Sequence, residues 1–279
     1  MKKRWRRAGK SEAIRTEEFL RSHEYYCVNA CAQFLQKNSP HEQVWYLTDP
    51  DGTISAVLLR FGGMLFPVFG STRNPPLPRF IKSFLGRISI RAVLGMLDEA
   101  ELLETALASR GYHAAEHRNY DLMTLDSQSG WENCSGPQEL VLRKPGFTDM
   151  DLLYPLQAAY EKEEVLPKDT AFNPVACRCN LSKILTREQS LIACLGTRIV
   201  GKINTNAASF SRVQIGGVYV LPEYRGQGIG RRMTAAFVGE LIKAGRGLTL
   251  FVKKDNPAAQ KIYRQLGFKT IGDYRISYY

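Results

Sequence analysis

With 279 residues, 44% apolar and 23% charged, the chain has a globular composition and is long enough for two domains. Its most apolar stretch, residues 54–70, is broken by Arg60, Gly62, Gly63 and Pro67, which excludes a membrane span of about 20 apolar residues. The net charge of +11 is lopsided: residues 141–279 hold 21 Lys+Arg against 11 Asp+Glu, which points to an anionic ligand, either nucleic acid or a phosphate-rich small molecule.

Met1–Lys10 is basic, but Ser11–Glu18 brings no apolar run after it, so it is not a secretory signal and a cytoplasmic setting is expected. Residues 1–20 read as a basic, polar extension with Trp5 among Arg4, Arg6 and Arg7, and such a tail is expected to be solvated rather than a nucleic-acid patch. Residues 21–130 read as a first domain. Near its end, Asp98–Arg110 places Leu102, Leu103, Ala106 and Leu107 at helical spacing, closes on Gly111-Tyr112, and leads to a strand at Tyr120–Leu125. Ser127–Pro137 is rich in Ser, Gly and polar residues and reads as a linker.

Residues 137–279 form the second domain. A strand at Glu139–Arg143 precedes a helix over Asp149–Glu164, whose apolar residues are Leu152, Leu153, Leu156, Ala159 and Tyr160. A helix at Pro174–Glu188 comes next, then strands at Ser190–Leu195, Ile199–Asn206 and Val213–Val220. The pattern ends with a helix from Gly228 to Ala244, a strand Leu248–Val252, a helix Pro257–Leu266, and two strands around Lys269 and Tyr274–Tyr278. This succession predicts an α/β sheet with helices packed on it. The helix–glycine–aromatic ending at Gly111-Tyr112 recurs at Gly267-Phe268, so the first half reads as a diverged copy of the second.

No metal centre is expected. Cys27, Cys31, Cys134, Cys177, Cys179 and Cys194 show no CxxC pairing, and His113 and His117 lack a third ligand in view. Reduced thiols fit the expected compartment.

The chemistry concentrates where the strand Val213–Val220 passes through Leu221–Tyr224 into Arg225-Gly226-Gln227-Gly228-Ile229-Gly230-Arg231-Arg232 and then a helix. Glycines let backbone N–H groups approach an anion, the helix N-terminus favours negative charge, and the arginines add full positive charges, so a pyrophosphate is the natural ligand. The GxGxG spacing and late position differ from a dinucleotide GxGxxG loop, and no Gly-Lys-Ser/Thr is present for a Walker loop.

Two signatures then occur in order. Arg225, Gly228 and Gly230 fill R/Q-x-x-G-x-G/A, while Asn256, Ala258, Ala259, Tyr263, Gly267 and Phe268 fill N-x-A-A-x-x-x-Y-x-x-x-G-F. Over residues 137–279 the chain resembles the GNAT superfamily of acyl-CoA N-acyltransferases. The resemblance implies two GNAT-like α/β domains in tandem, each a mixed, mostly antiparallel sheet flanked by helices. The C-terminal one would be complete and the N-terminal one would lack the cofactor loop.

It also implies acetyl-CoA as cosubstrate and direct transfer of the acetyl group to an amine of a small molecule or protein. The alternatives are a longer acyl-CoA donor or a non-catalytic CoA-binding regulator. Under the resemblance, the backbone of Val218 and Val220, flanking Tyr219, would pair with the pantetheine arm. The amides of Gly226, Gln227, Gly228, Ile229, Gly230 and Arg231, with Arg225, would hold the pyrophosphate. Asn256 and Ala259 would lie near the cofactor, although Asn256 followed by Pro257 also reads as a helix N-cap. Tyr263 would protonate the leaving thiolate as general acid, the other reading being a core tyrosine. The base is open. The family's strand Glu is replaced by Phe251, and Glu163 and Glu164 are candidates that equally read as solvated helix charges. Acceptor and oligomeric state are not set by the sequence.

Overall fold

The computed structural model describes residues 4–36, 44–70, 72, 74–84, 89–127 and 136–279. Most of the linker, residues 128–135 with Cys134, lies outside them. Contacts divide the chain into two compact units. One comprises Met1–Leu122 with Val252–Asp255 and Thr270–Tyr279; the other comprises Met123–Phe251 with Asn256–Lys269.

In the first unit, β1 (Arg6–Arg7) is followed by α1 (Ala13–Ser22), α2 (Val28–Leu35), β2 (Val44–Thr48), β3 (Ile54–Phe61) and β4 (Met64–Val68). Then come α3 (Leu77–Phe84), β5 (Ala92–Met96), α4 (Leu97–Ala108) and β6 (Glu116–Leu125). The apolar stretch at 54–70 is a hairpin: Gly62 and Gly63 both have positive φ, 54° and 83°, and such a two-residue turn matches the twist of the flanking strands. β2, β3 and β4 pair antiparallel, and β4 pairs parallel with β5 across α3.

The basic start is not a free tail. Arg6 and Arg7 pair with Tyr46 and Trp45, and the Trp5 indole is buried in the core, stacked on Phe80 with centroids 4.9 Å apart. Burying an aromatic ring of this size outweighs the solvation that the flanking charges favour, since the arginines project from the edge while the indole points inward.

The second unit begins with β7 (Leu140–Arg143) and α5 (Met150–Tyr160). α5 runs into a π-helical turn, Glu161–Val165, and is followed by α6 (Pro174–Arg187). Next are β8 (Ser190–Leu195), β9 (Arg198–Ala208), β10 (Arg212–Val220), α7 (Ile229–Lys243), β11 (Gly247–Lys253) and α8 (Pro257–Gln265). The strand order is β7-β8-β9-β10-β11, antiparallel except for the β10–β11 pair, which lies across α7.

Two expectations change. Leu152 faces water at 62% exposure, because the stripe that packs on the sheet is Leu153, Leu156 and Tyr160, at the i, i+3, i+7 spacing of one helix face. The chain end is one strand, β12 (Lys269–Tyr278), not two. Gly272 sits within it against the Met96 side chain, so the glycine permits a close approach rather than a turn. β12 pairs antiparallel with β5 from Tyr274↔Met96 to Tyr278↔Ala92 and belongs to the first unit.

Each unit is thus a mixed, mostly antiparallel sheet with helices on it, and in chain order the second half of the sequence repeats the first: three antiparallel strands, a helix, a parallel strand, a helix and a long strand. They differ at the end of the strand that enters the helix. In the first unit the N–H groups of Phe69 and Gly70 both donate to Glu99 Oε1, at 2.6 and 3.0 Å. Burial pushes that carboxyl up to about 7 against the pull of these two bonds. Glu99 therefore ties down the two backbone N–H groups that follow β4.

Candidate acyl-transfer site

β10 and β11 pair in register from Arg212↔Gly247 to Ile215↔Leu250, and the pairing stops there. One residue later the register of β10 with β9 slips, from Gly216↔Asn204 to Tyr219↔Lys202, so β10 carries an extra residue. Gly217 takes it up with φ +59°. Such a bulge bends the strand and re-aims the residues beyond it. Val218 and Val220 are half-buried beyond the last β11 pair, and Tyr219 between them is buried.

The bend delivers the chain to the glycine loop. Gly226 and Gly228 have φ of 78° and 81°, a conformation that L side chains resist, and Gly228 is the N-cap of α7. The first N–H groups of α7 then lack intrahelical acceptors by geometry and face outward from the positive end of the helix. Arg231 Nε, on the first turn, is buried without a hydrogen-bond partner among the described residues. Arg231 thus brings a guanidinium to the first turn of a helix whose N-terminus favours an anionic group such as a pyrophosphate.

Four other arginines of this half are engaged within the fold. Arg225 donates through Nε to Val220 O at 3.0 Å and through Nη2 to Glu163 Oε2 at 2.9 Å. Its guanidinium also lies over the Tyr219 ring, 5.2 Å from the centroid. Arg232 donates to Pro137 O at 2.7 Å, Arg198 bridges to Glu223, and buried Arg212 binds Thr124 and Asp126. Part of the positive excess of this half is therefore built into the fold.

Tyr263 comes from α8, whose start is fixed by Asn256: its Oδ1 accepts from Ala259 N at 3.0 Å, with Pro257 in the first turn. The side chain of Asn256 is thus engaged as a cap, and Ala259 is the residue it caps. Tyr263 is buried at 7% exposure, and Phe268 packs against its ring edge at 5.9 Å. Burial raises its pKa above the ordinary tyrosine value, with further upward contributions from Tyr160 and Glu164. It stays a neutral phenol, the form that can give up a proton. Phe251 occupies β11 half-buried, without a carboxylate.

The two glutamates of the π-helical turn differ. Glu163 accepts from Tyr219 Oη at 2.7 Å as well as from Arg225. Burial first, and this carboxylate second, push the Tyr219 phenol up to about 12. Glu164 bears electrostatically on both Tyr219 and Tyr263. The π-helical turn is what brings both to the end of β10, and a local insertion of this kind often marks a functional position.

Sequence reasoning missed a buried polar group under the bulge. Lys202 on β9 is 4% exposed. It donates to Gly217 O at 2.9 Å and Asn204 Oδ1 at 3.2 Å, with Nζ 4.3 Å from the Tyr160 ring centroid. Burial lowers its pKa to about 7, opposed by the charge of Glu161 and a lesser contribution from Cys177. Glu161 is itself held by Gln157 Nε2 at 2.9 Å and Asn180 Nδ2 at 3.3 Å, and burial beside it raises the Cys177 thiol to about 12. The available signal was the period-two run Lys202-Ile203-Asn204-Thr205-Asn206, which puts three polar residues on one face of a strand otherwise read as core.

The buried amine makes stability depend on pH. The unfolded amine titrates near 10.5 and the folded one near 7, so between these values the unfolded chain holds a proton that the folded chain has released. Stability should therefore rise as pH goes from 7 toward 10.5, by about 1.4 kcal/mol for each pH unit crossed. Urea denaturation at pH 7, 8, 9 and 10 should show that slope in the wild type and a flatter one in Lys202→Met.

The β10–β11 pairing therefore ends beside a glycine-capped helix N-terminus, an arrangement that leaves backbone groups free next to an anion-favouring end. Residues 153–268 match the model of the acetyltransferase (GNAT) family. This stretch is thus a GNAT-type domain, which supports an acyl-CoA-dependent acyltransferase activity.

Solved structures resemble the chain along its whole length. A GCN5-related N-acetyltransferase from Sphaerobacter thermophilus is 16% identical, with 99% of this chain and 94% of that one covered at a TM-score of 0.63. A GNAT-family acetyltransferase from Colwellia psychrerythraea is 9% identical, with 100% and 99% covered at 0.58. A Drosophila protein is 15% identical, with 99% and 98% covered at 0.64. At such identities the likeness shows the tandem fold alone. No curated protein matches the chain. Among the described residues, no group of three or more His, Cys, Asp and Glu could hold a metal, and no helix is long and apolar enough to cross a membrane.

Proposed function

We propose that the chain is an N-acetyltransferase that moves the acetyl group of acetyl-CoA directly to a primary amine of a small molecule or protein. The observation that carries this is the break in β10–β11 pairing after Ile215↔Leu250, opening beside a glycine loop whose Arg231 Nε is unmatched among the described residues. In this reading the backbone of Val218 and Val220 takes the pantetheine arm as an added strand would be taken. The amides of residues 226–231 and the Arg231 guanidinium hold the pyrophosphate, while Arg225 braces the loop against Glu163.

The amine nitrogen attacks the thioester carbonyl, the carbon–sulfur bond breaks, and Tyr263 gives its proton to the departing sulfur. The proton of the amine leaves through water or through Glu164, the carboxylate nearer in effect to Tyr263. Holding amine and thioester together and polarising the carbonyl from a backbone N–H near Val218 supply much of the acceleration.

Differential scanning fluorimetry with acetyl-CoA, CoA, a long-chain acyl-CoA and an oligonucleotide tests the ligand, and release of free thiol over a panel of amines and peptides tests the reaction. Stabilisation by acetyl-CoA with amine-dependent thiol release is expected. A shift with oligonucleotide alone, or acetyl-CoA binding without turnover on any amine, would refute the enzymatic reading; preference for the long-chain donor would refute the acetyl assignment.

A further inference from the structure

We propose that Lys202 is a positioning residue of the transfer site: with Asn204 and Asn206 it clamps the Gly216-Gly217 bulge and so fixes the direction in which the backbone of Val218–Val220 meets the acyl donor. This rests on the acyltransferase reading above and names a residue group that the reaction needs without touching the substrate.

The clamp is visible atom by atom. Lys202 Nζ reaches from β9 to the carbonyl of Gly217, the left-handed residue of the bulge, and ties it to Asn204 Oδ1 on its own strand. Asn204 Nδ2 in turn donates to Asn206 Oδ1 at 3.0 Å. The three side chains lie against the two glycines so closely that a Cβ has no room. One on Gly217 would sit 1.9 Å from Asn204 Oδ1 and 2.8 Å from Lys202 Nζ; one on Gly216 would sit 1.9 Å from Asn206 Nδ2. The glycines and the polar triad are therefore a matched set. A bulge alone bends a strand, but a carbonyl gripped by a buried amine sets which way the next N–H points.

A buried lysine is an expensive way to make that contact. Burial strips its solvation, and its surroundings return two acceptors, one aromatic face and the charge of Glu161. A fold selected for stability alone would do as well with an apolar residue of the same length. The carbonyl it holds belongs to the residue just before Val218, the part of β10 that has left β11. That location, rather than strength, is what the amine contributes.

The test uses the full chain with Lys202→Met, which keeps the length and removes the donor, and Lys202→Gln, which keeps an N–H. Hydrogen exchange read by mass spectrometry should show amides of residues 216–220 exchanging at least about tenfold faster in the Met variant, with 212–215 unchanged. Turnover with acetyl-CoA should fall by about 10- to 100-fold in kcat, with KM for acetyl-CoA held and the thermal midpoint not lowered, because a misdirected donor affects the transition state more than binding. The Gln variant should recover part of the exchange protection and part of kcat.

Equal exchange and equal kcat in the Met variant and wild type would overturn the clamp. So would a loss of kcat matched by a lowered thermal midpoint and not relieved in the Gln variant, since that is the mark of a merely structural residue. A wild type that neither binds nor turns over any acyl-CoA fails differently: it sinks the functional reading, and this inference with it.

Discussion

Gly228→Glu should abolish stabilisation by acetyl-CoA while leaving the protein folded, with affinity falling by at least about 100-fold, which is roughly 3 kcal/mol. The substitution acts on two levels. Gly228 caps α7 at φ +81°, where a side chain costs about 1–2 kcal/mol of backbone strain. A carboxylate at a helix N-terminus is itself favourable by some tenths of a kcal/mol, so the fold gives back part of that cost. The ligand gets no such relief: a fixed negative charge would occupy the end of α7 where the pyrophosphate is proposed to lie. Gly228→Ala separates the two effects, since it keeps the strain and lacks the charge. Isothermal titration of both variants should rank wild type, then Ala, then Glu. A Glu variant that binds acetyl-CoA as the wild type does would remove the loop from the binding site.

That loop was legible in the sequence because its constraints are local. Glycines at positive φ, an arginine-flanked helix start and a capping Asn-Pro each leave a mark within a few residues. The elements of the second unit were legible for the same reason, their periodicity being strong and their turns explicit. The illegible features depend on pairing between distant segments. The burial of Trp5 requires Phe80 to be beneath it, and nothing in the basic run around it says so. The last strand joins the first unit because its pairing partner is β5, a choice invisible in residues 269–278 themselves.

The polar triad under the bulge lies between these cases. Its spacing was in plain view at residues 202, 204 and 206. Only the pairing of β9 with β10 reveals that Gly216 and Gly217 face it. Likewise Glu163 and Glu164 look equivalent in sequence, and the π-helical turn separates them, tying one to Arg225 and turning the other's field on Tyr263.

Tyr263→Phe should lower kcat by about 10²- to 10⁴-fold, the usual weight of a positioned proton donor, and leave KM for acetyl-CoA close to wild type. The phenol is buried, and its pKa is raised by that burial and by Tyr160 and Glu164, so over pH 7 to 9 it remains protonated. The defect should therefore be the same size across that range, because no titration of Tyr263 intervenes. Removing the hydroxyl leaves the ring and its contact with Phe268 in place, so unfolding should shift little. Glu164→Gln offers the contrast. If Glu164 relays the proton of the amine, its loss should slow turnover most at low pH, where the acceptor is protonated, and more basic solution should offset it. Turnover by Tyr263→Phe equal to the wild type would reject the donor role and return this residue to the core as a packing tyrosine. A defect that grows or vanishes with pH between 7 and 9 would instead assign the donor to another group, since a phenol held neutral by burial does not titrate in that window.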